Sequence, residues 1–314
     1  MKLAFLYAGQ GSQHAGMGAD LYEASPVFRK VFDEAASVLD FDLKTTCFED
    51  PQGVINLTRY TQPCMVAFAA GVTAMLADAG IRPDYAAGLS LGEYSALECA
   101  DVLDAKSAVE LVAFRGQAMA KASEGLDCGM TAVLMLDRDK LQACCEEASS
   151  LGVVQICNYN CPGQLVIGGE KAAVDRAAEL AKEAGAKRCL PLKVSGPFHT
   201  ILMHPAAVAL AERFQTVKFA PMRMPVLFNC LGHEKAPADS IAYLLVRQVQ
   251  SSVYLEDTIR RLADLGVDTV VEIGPGHTIS GFVKKTVGST IRCLNIETAA
   301  DFEKVVAELK EVQA

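Results

Sequence analysis

Short apolar runs alternate with helix-length periodic segments along most of this chain, and a stretch in the middle breaks the alternation. That pattern narrows the fold more than any other feature. Strands separated by helices do not pair as hairpins. They favour a parallel sheet with helices on its faces. Lys2–Tyr7, Ala86–Leu89, Val226–Asn229, Thr269–Ile273 and Ile291–Asn295 read as strands. Arg59–Gly80, Glu93–Cys99, Asp104–Ser123 and Val253–Leu265 read as helices. In the middle, Met130–Leu136, Val153–Asn158, Gln164–Gly168 and Arg188–Val194 read as strands, with helices at Asp139–Ser149 and Lys171–Ala184. That order, β-α-β-β-α-β, predicts a ferredoxin-like module. Gly125 and Gly129 before it, and Ser195-Gly196-Pro197 after it, are breakers suited to domain crossings. The expected organisation is a large α/β domain of residues 1–125 and 197–314 with a small inserted domain at 126–196.

The 314 residues exceed one ordinary domain, and a chain this long buries enough surface to fold without disulfides or metals. A net charge of −9 with no basic tract argues against nucleic acid and anionic membrane as partners. The eleven cysteines contain no C-x-x-C pair and suit neither a zinc ribbon nor a disulfide framework, so they read as reduced thiols of a cytoplasmic chain. Lys2–Tyr7 is strand-like and lacks the layout of a signal peptide. No apolar run is long enough to span a bilayer.

Gly88-Leu89-Ser90-Leu91-Gly92 lies between a strand and a helix. There the two glycines permit a sharp turn that exposes a serine nucleophile, and the Leu91 amide would face a developing oxyanion. Taken alone, the pattern is equally a chance match in a chain with 24 glycines. A serine nucleophile needs a base. Of His14, His199, His204, His233 and His277, only His199 sits at a domain junction, where clefts form. Gly9-Gln10-Gly11-Ser12-Gln13 follows the first strand but has His14 where a dinucleotide fingerprint needs glycine, so Gln10 is left as an amide donor near the elbow. Arg115 has Leu111, Val112, Ala118 and Met119 one turn away, all apolar. Its charge must meet an internal acid, reach water, or clamp a substrate carboxylate.

In order along nearly the whole chain, these motifs resemble the malonyl-CoA:acyl carrier protein transacylases of fatty acid synthesis. The resemblance rests on Gly9–Gln13 with Gly16-Met17-Gly18, Thr61-Gln62-Pro63, Gly88–Tyr94, Arg115-Gly116, Asn160 with Pro162, Gln164 and Val166-Ile167, Gly196-Pro197-Phe198-His199, and Gln248 with Glu272–Gly276. It implies an α/β-hydrolase-like core, a Ser90–His199 dyad with the histidine oriented by the Gln248 carbonyl, and an oxyanion hole from the Gln10 and Leu91 amides. It also implies that Arg115 holds the malonyl carboxylate, with Gln62, Met119, Asn160 and Phe198 in support. Malonyl-CoA and acyl carrier protein would be the substrates, with no metal or redox cofactor and a monomeric enzyme. Leu89 departs from the family, which usually carries histidine before the nucleophile. That departure bears on hydrogen bonding around Ser90 and so on rate and acyl selectivity. A polyketide-loading acyltransferase, a serine hydrolase and a catalytically silent binding module are the rival readings.

Overall fold

In the computed structural model, which describes residues 1–313, the first strand Leu3–Tyr7 is buried on both faces and lies between two parallel neighbours. Five consecutive apolar residues leave this strand no solvent face, as expected where helices cover both sides of a parallel sheet. The sheet order is Arg292–Ile296, Thr269–Ile273, Leu3–Tyr7, Tyr85–Gly88, every pair parallel. The α/β core with a parallel sheet expected from the alternation is therefore present. All four carboxyl ends emerge at one edge, where open α/β sheets bind their ligands. The expected strand at Val226–Asn229 shrinks to two residues, Leu227–Phe228, and Val226 adds one parallel bridge to Ala86.

Two compact units divide the chain. The first comprises residues 1–116, 218–228 and the segment from 259 onward; the second comprises 117–217 and 229–258. Helix Ala105–Ser123 continues from the first unit into the second. Helix Thr58–Asp78 belongs wholly to the first. At 21 residues it is, by length and composition, long and apolar enough to cross a membrane, which corrects the expectation that no such segment exists. The scattered polar side chains Thr61, Gln62 and Thr73 hide it from a reading of uninterrupted runs. Its apolar window is 78% buried within the protein.

The β-α-β-β-α-β run lies inside the second unit. Its strands are Cys128–Leu134, Val154–Cys161, Gln164–Glu170 and Arg188–Pro191, and in sheet order they fall fourth, first, third, second, all antiparallel. The two βαβ halves thus interleave. Helices Arg138–Ala148 and Lys171–Glu183 seal the sheet through Leu141, Val174, Ala177 and Leu180 against Val133, Ile156 and Ile167. The helix expected at Val253–Leu265 begins only at Leu255. Val253 and Tyr254 pair in parallel with Asn158 and Tyr159 as a fifth strand, and Tyr254 stacks on Tyr159. This long-range pairing overrides a local helical pattern.

Glu98, near the end of helix Gly92–Cys99, borders a cavity of about 130 Å³ lined by Phe5, Thr73, Ile81, Arg82 and Arg223. Its Oε2 is buried with no hydrogen-bond partner among the described residues, and Arg223 is engaged with Asp101. Burial, with Asp101 and Asp104 adding repulsion, pushes the Glu98 carboxyl up to about 8. A carboxyl that holds its proton more tightly when folded contributes stability that is complete below about pH 4.5. That contribution is lost as pH rises through about 8. Glu98→Gln cannot ionise, so its denaturation midpoint is expected to fall less than the wild type's between pH 5.5 and 9. The difference should amount to a few kcal/mol, at about 1.4 kcal/mol per pH unit. Parallel pH profiles in chemical denaturation would show that Glu98 is already ionised at neutral pH.

Candidate active site

Strand Tyr85–Gly88 and helix Gly92–Cys99 are joined by three residues, with Ser90 at the apex. Ser90 has φ 55°, a conformation that non-glycine residues rarely adopt and that concentrates at functional sites. The flanking glycines are required by close approach. A Cβ on Gly88 would lie 2.0 Å from the Gly92 carbonyl carbon, and one on Gly92 would lie 2.3 Å from the Tyr7 carbonyl oxygen. The pattern noticed in the sequence is thus the steric condition for this turn. Neither the Gln10 nor the Leu91 amide donates to another group among the described residues, so both remain available to an oxyanion. The Gln10 side chain donates to Thr58 Oγ1 at 3.1 Å.

Arg115 is 0% exposed, which excludes the possibility that its charge reaches water. Its Nη1 donates to Gln62 Oε1 at 2.9 Å and its Nη2 to Ser90 Oγ at 3.2 Å. The guanidinium carbon lies 5.7 Å from the centroid of the Tyr94 ring. Burial pulls the guanidinium pKa down, while Tyr94 and Glu93 oppose that shift. A wholly buried guanidinium that donates to the Ser90 hydroxyl and to a neutral amide has the fork geometry suited to a carboxylate. Gln62 acquires its role here: it is buried, and it orients the arginine.

In the second unit, His199 is buried while the other four histidines are exposed. Its Nδ1 lies 2.9 Å from the Gln248 carbonyl oxygen. A carbonyl only accepts, so Nδ1 carries the proton and Nε2 keeps its lone pair, the tautomer a general base needs. Gln248 stands in the last turn of helix Ile241–Val249, where carbonyls lack intrahelical donors. The negative end of that helix also favours a positive charge on the ring. His199 has φ 59°, and Thr200 Oγ1 pins its turn by donating to the Pro197 carbonyl at 2.6 Å. Phe198, Met119 and Asn160 are all buried in this unit. Asn160 Oδ1 has no hydrogen-bond partner among the described residues.

The structure therefore joins Ser90, Arg115 and Gln62 by hydrogen bonds in one unit, and His199 with Gln248 in the other. Sequence reasoning did not foresee Thr58 beside Gln10 or the Tyr94 ring beside Arg115. Neither contact has a local signal: one joins a turn to a helix that begins 48 residues on, and the other joins two successive helices.

A parallel α/β sheet with a strained serine at its carboxyl edge, amides free to bind an oxyanion and a buried guanidinium on the serine hydroxyl is the constitution of a serine acyltransferase. The acyl transferase domain family matches residues 4–311, and the chain belongs to it, among the malonyl CoA-acyl carrier protein transacylases. The transacylase of Bacillus subtilis is 40% identical over 311 residues, covering 99% of this chain and 98% of its own. The crystal structure of the Clostridium perfringens transacylase superposes with a TM-score of 0.96 at 37% identity, covering 100% of this chain and 98% of that one. A malonyl-transacylase solved in complex with its type II polyketide acyl-carrier protein gives a TM-score of 0.94 at 38% identity, covering 98% and 100%.

Proposed function

We propose that this enzyme moves a malonyl group from malonyl-CoA to the phosphopantetheine thiol of acyl carrier protein, supplying fatty acid synthesis in the cytoplasm. The observation that carries the reading is the Arg115 guanidinium, wholly buried and 3.2 Å from Ser90 Oγ. A hydrolase of neutral esters has no use for a buried cation there, whereas a malonyl ester places its carboxylate a few atoms from the acyl-serine bond. The eleven free thiols accord with a reducing compartment.

In this reading His199 Nε2 takes the Ser90 proton as Oγ attacks the thioester carbonyl. The Gln10 and Leu91 amides hold the oxyanion. The C–S bond breaks, His199 returns the proton to the CoA sulfur, and malonyl-Ser90 remains. The carrier thiol then gives its proton to His199 and attacks the ester, and Ser90 recovers the proton as it leaves. Arg115 fixes the ester through its carboxylate, so the acyl carbon stays posed for attack by the thiol. The cycle needs no redox step or metal. Met119, Asn160 and Phe198 shape the histidine side, and Leu89 tunes acyl selectivity without entering the proton path. The enzyme works as a monomer. The polyketide complex among its relatives favours a second carrier class; comparing transfer rates to the two kinds of carrier separates them.

The test is the acyl preference of Arg115→Ala. Leaving a largely desolvated carboxylate without its charged partner costs about 2–5 kcal/mol, so kcat/KM for malonyl-CoA is expected to fall ~10²-fold or more. Acetyl-CoA carries no carboxylate and should gain or hold, inverting the preference. Equal losses for both thioesters, with circular dichroism confirming the fold, would make Arg115 a structural residue and remove the main support for malonyl.

A further inference from the structure

His14 lies four residues beyond Gln10, in the loop that follows strand Leu3–Tyr7. Its Nε2 is 2.8 Å from Glu297 Oε1, and its Nδ1 is 2.9 Å from the Ala15 carbonyl oxygen. Both partners only accept. A neutral imidazole has a single N–H and can satisfy just one of them, so this geometry belongs to the imidazolium. The other oxygen of the same carboxylate, Glu297 Oε2, accepts the Gly276 amide at 2.9 Å. Glu297 directly follows strand Arg292–Ile296, and Gly276 lies just beyond strand Thr269–Ile273. One carboxylate therefore ties the loop bearing Gln10 to a neighbouring turn at the carboxyl edge of the sheet.

We propose that His14 and Glu297 are positioning residues for the acylation step: the charged pair holds the 9–18 loop so that the Gln10 amide stays where the oxyanion forms, and loss of the His14 proton slackens it. The inference rests on the reading of Gln10 as an oxyanion donor. Three other ionisable groups stand near the pair, and the Asp301 charge opposes that of Glu297. Asp301 accepts from Thr298 and the Glu297 amide, Asp20 accepts from the Ala299 amide, and His277 stands at the N-cap position of helix Thr278–Val287 without a side-chain cap bond, its charge acting on Asp301. The Ala15 carbonyl and then Glu297 hold the His14 pKa above its ordinary value. Partial burial raises the Glu297 carboxyl, but the Gly276 amide and His14 together outweigh it and leave the pKa lowered. The contribution of the pair is complete below about pH 6.5, the ordinary histidine value, and is lost as pH rises through the raised one. His199 acts as a base and so works in the opposite sense, which keeps the two limbs apart.

The His14 side chain is 51% exposed and that of Glu297 27%, so the effect is modest: about two- to fivefold in rate. The experiment is rapid-quench formation of the malonyl-enzyme at saturating malonyl-CoA from pH 5.5 to 9.5, with NMR titration of the His14 ring. Wild type should lose about two- to fivefold on its alkaline limb, in step with the His14 titration. His14→Arg, a permanent cation, should keep the fast rate at pH 9. His14→Gln and Glu297→Gln should be slow at both ends, with KM for malonyl-CoA unchanged. An alkaline limb identical in wild type and all three variants, with Ser90 still acylated, overturns the positioning role alone. An enzyme in which Ser90 is never acylated overturns it together with the transferase reading.

Discussion

Ser90→Ala is expected to abolish covalent labelling by malonyl-CoA and to lower transfer to the carrier by roughly 10⁴-fold or more, while the protein remains folded. The serine is held in a left-handed conformation by Gly88 and Gly92, which permit the approach of the elbow to its own helix and to Tyr7. Alanine at 90 meets the same backbone demand as serine, so the turn survives and only the hydroxyl goes. Arg115 keeps its bond to Gln62, so the buried charge is not stranded. Intact mass spectrometry after mixing with malonyl-CoA should show an adduct of one malonyl group in wild type and none in the variant. A persisting adduct of that mass on Ser90→Ala would move the nucleophile elsewhere.

His199→Ala should slow acylation by ~10²–10⁴, the usual range for loss of a general base. The size of the loss follows from how the ring is prepared. The Gln248 carbonyl fixes the tautomer, the helix end stabilises the imidazolium, and burial removes competing water. Without the ring, Ser90 must lose its proton to solvent. The cavity left by truncation admits free imidazole, so added imidazole should recover part of the rate in the variant and none in wild type. Single-turnover acylation measures both effects. Equal rates in wild type and variant would sink the assignment and leave His204 next, although that residue is exposed and hydrogen-bonded to Gln250.

Much of this molecule was legible along the chain because the information is local. The elbow is a steric rule written within five residues. Gly88 and Gly92 are demanded by contacts of 2.0 and 2.3 Å that any side chain would violate, and Ser90 sits where those contacts force a left-handed turn. The interleaved β-α-β-β-α-β run was legible for the same reason, since periods of two and of 3.6 residues are set by neighbours on one strand or one turn. The apolar ring around Arg115 announced a charge that must find an anion or reach water. It did not announce the partner, because Gln62 lies 53 residues away.

The tertiary structure decided what depends on distant segments arriving together. In sequence His199 differs from the other four histidines by its place at a domain junction and by the motif around it, and neither fixes its tautomer. Burial and the Gln248 carbonyl, 49 residues away, are what the fold adds to His199. The sheet order places the first strand between the second and a strand some 265 residues later, a choice that no window of local periodicity contains. Val253 and Tyr254 became a strand because Asn158 and Tyr159 offered an open edge. His14 faces Glu297 across 283 residues. Backbone sterics and side-chain period act within a few residues and so are written in order along the chain. Burial, charge pairing and sheet partnership are properties of the whole core, and they exist only once it has closed.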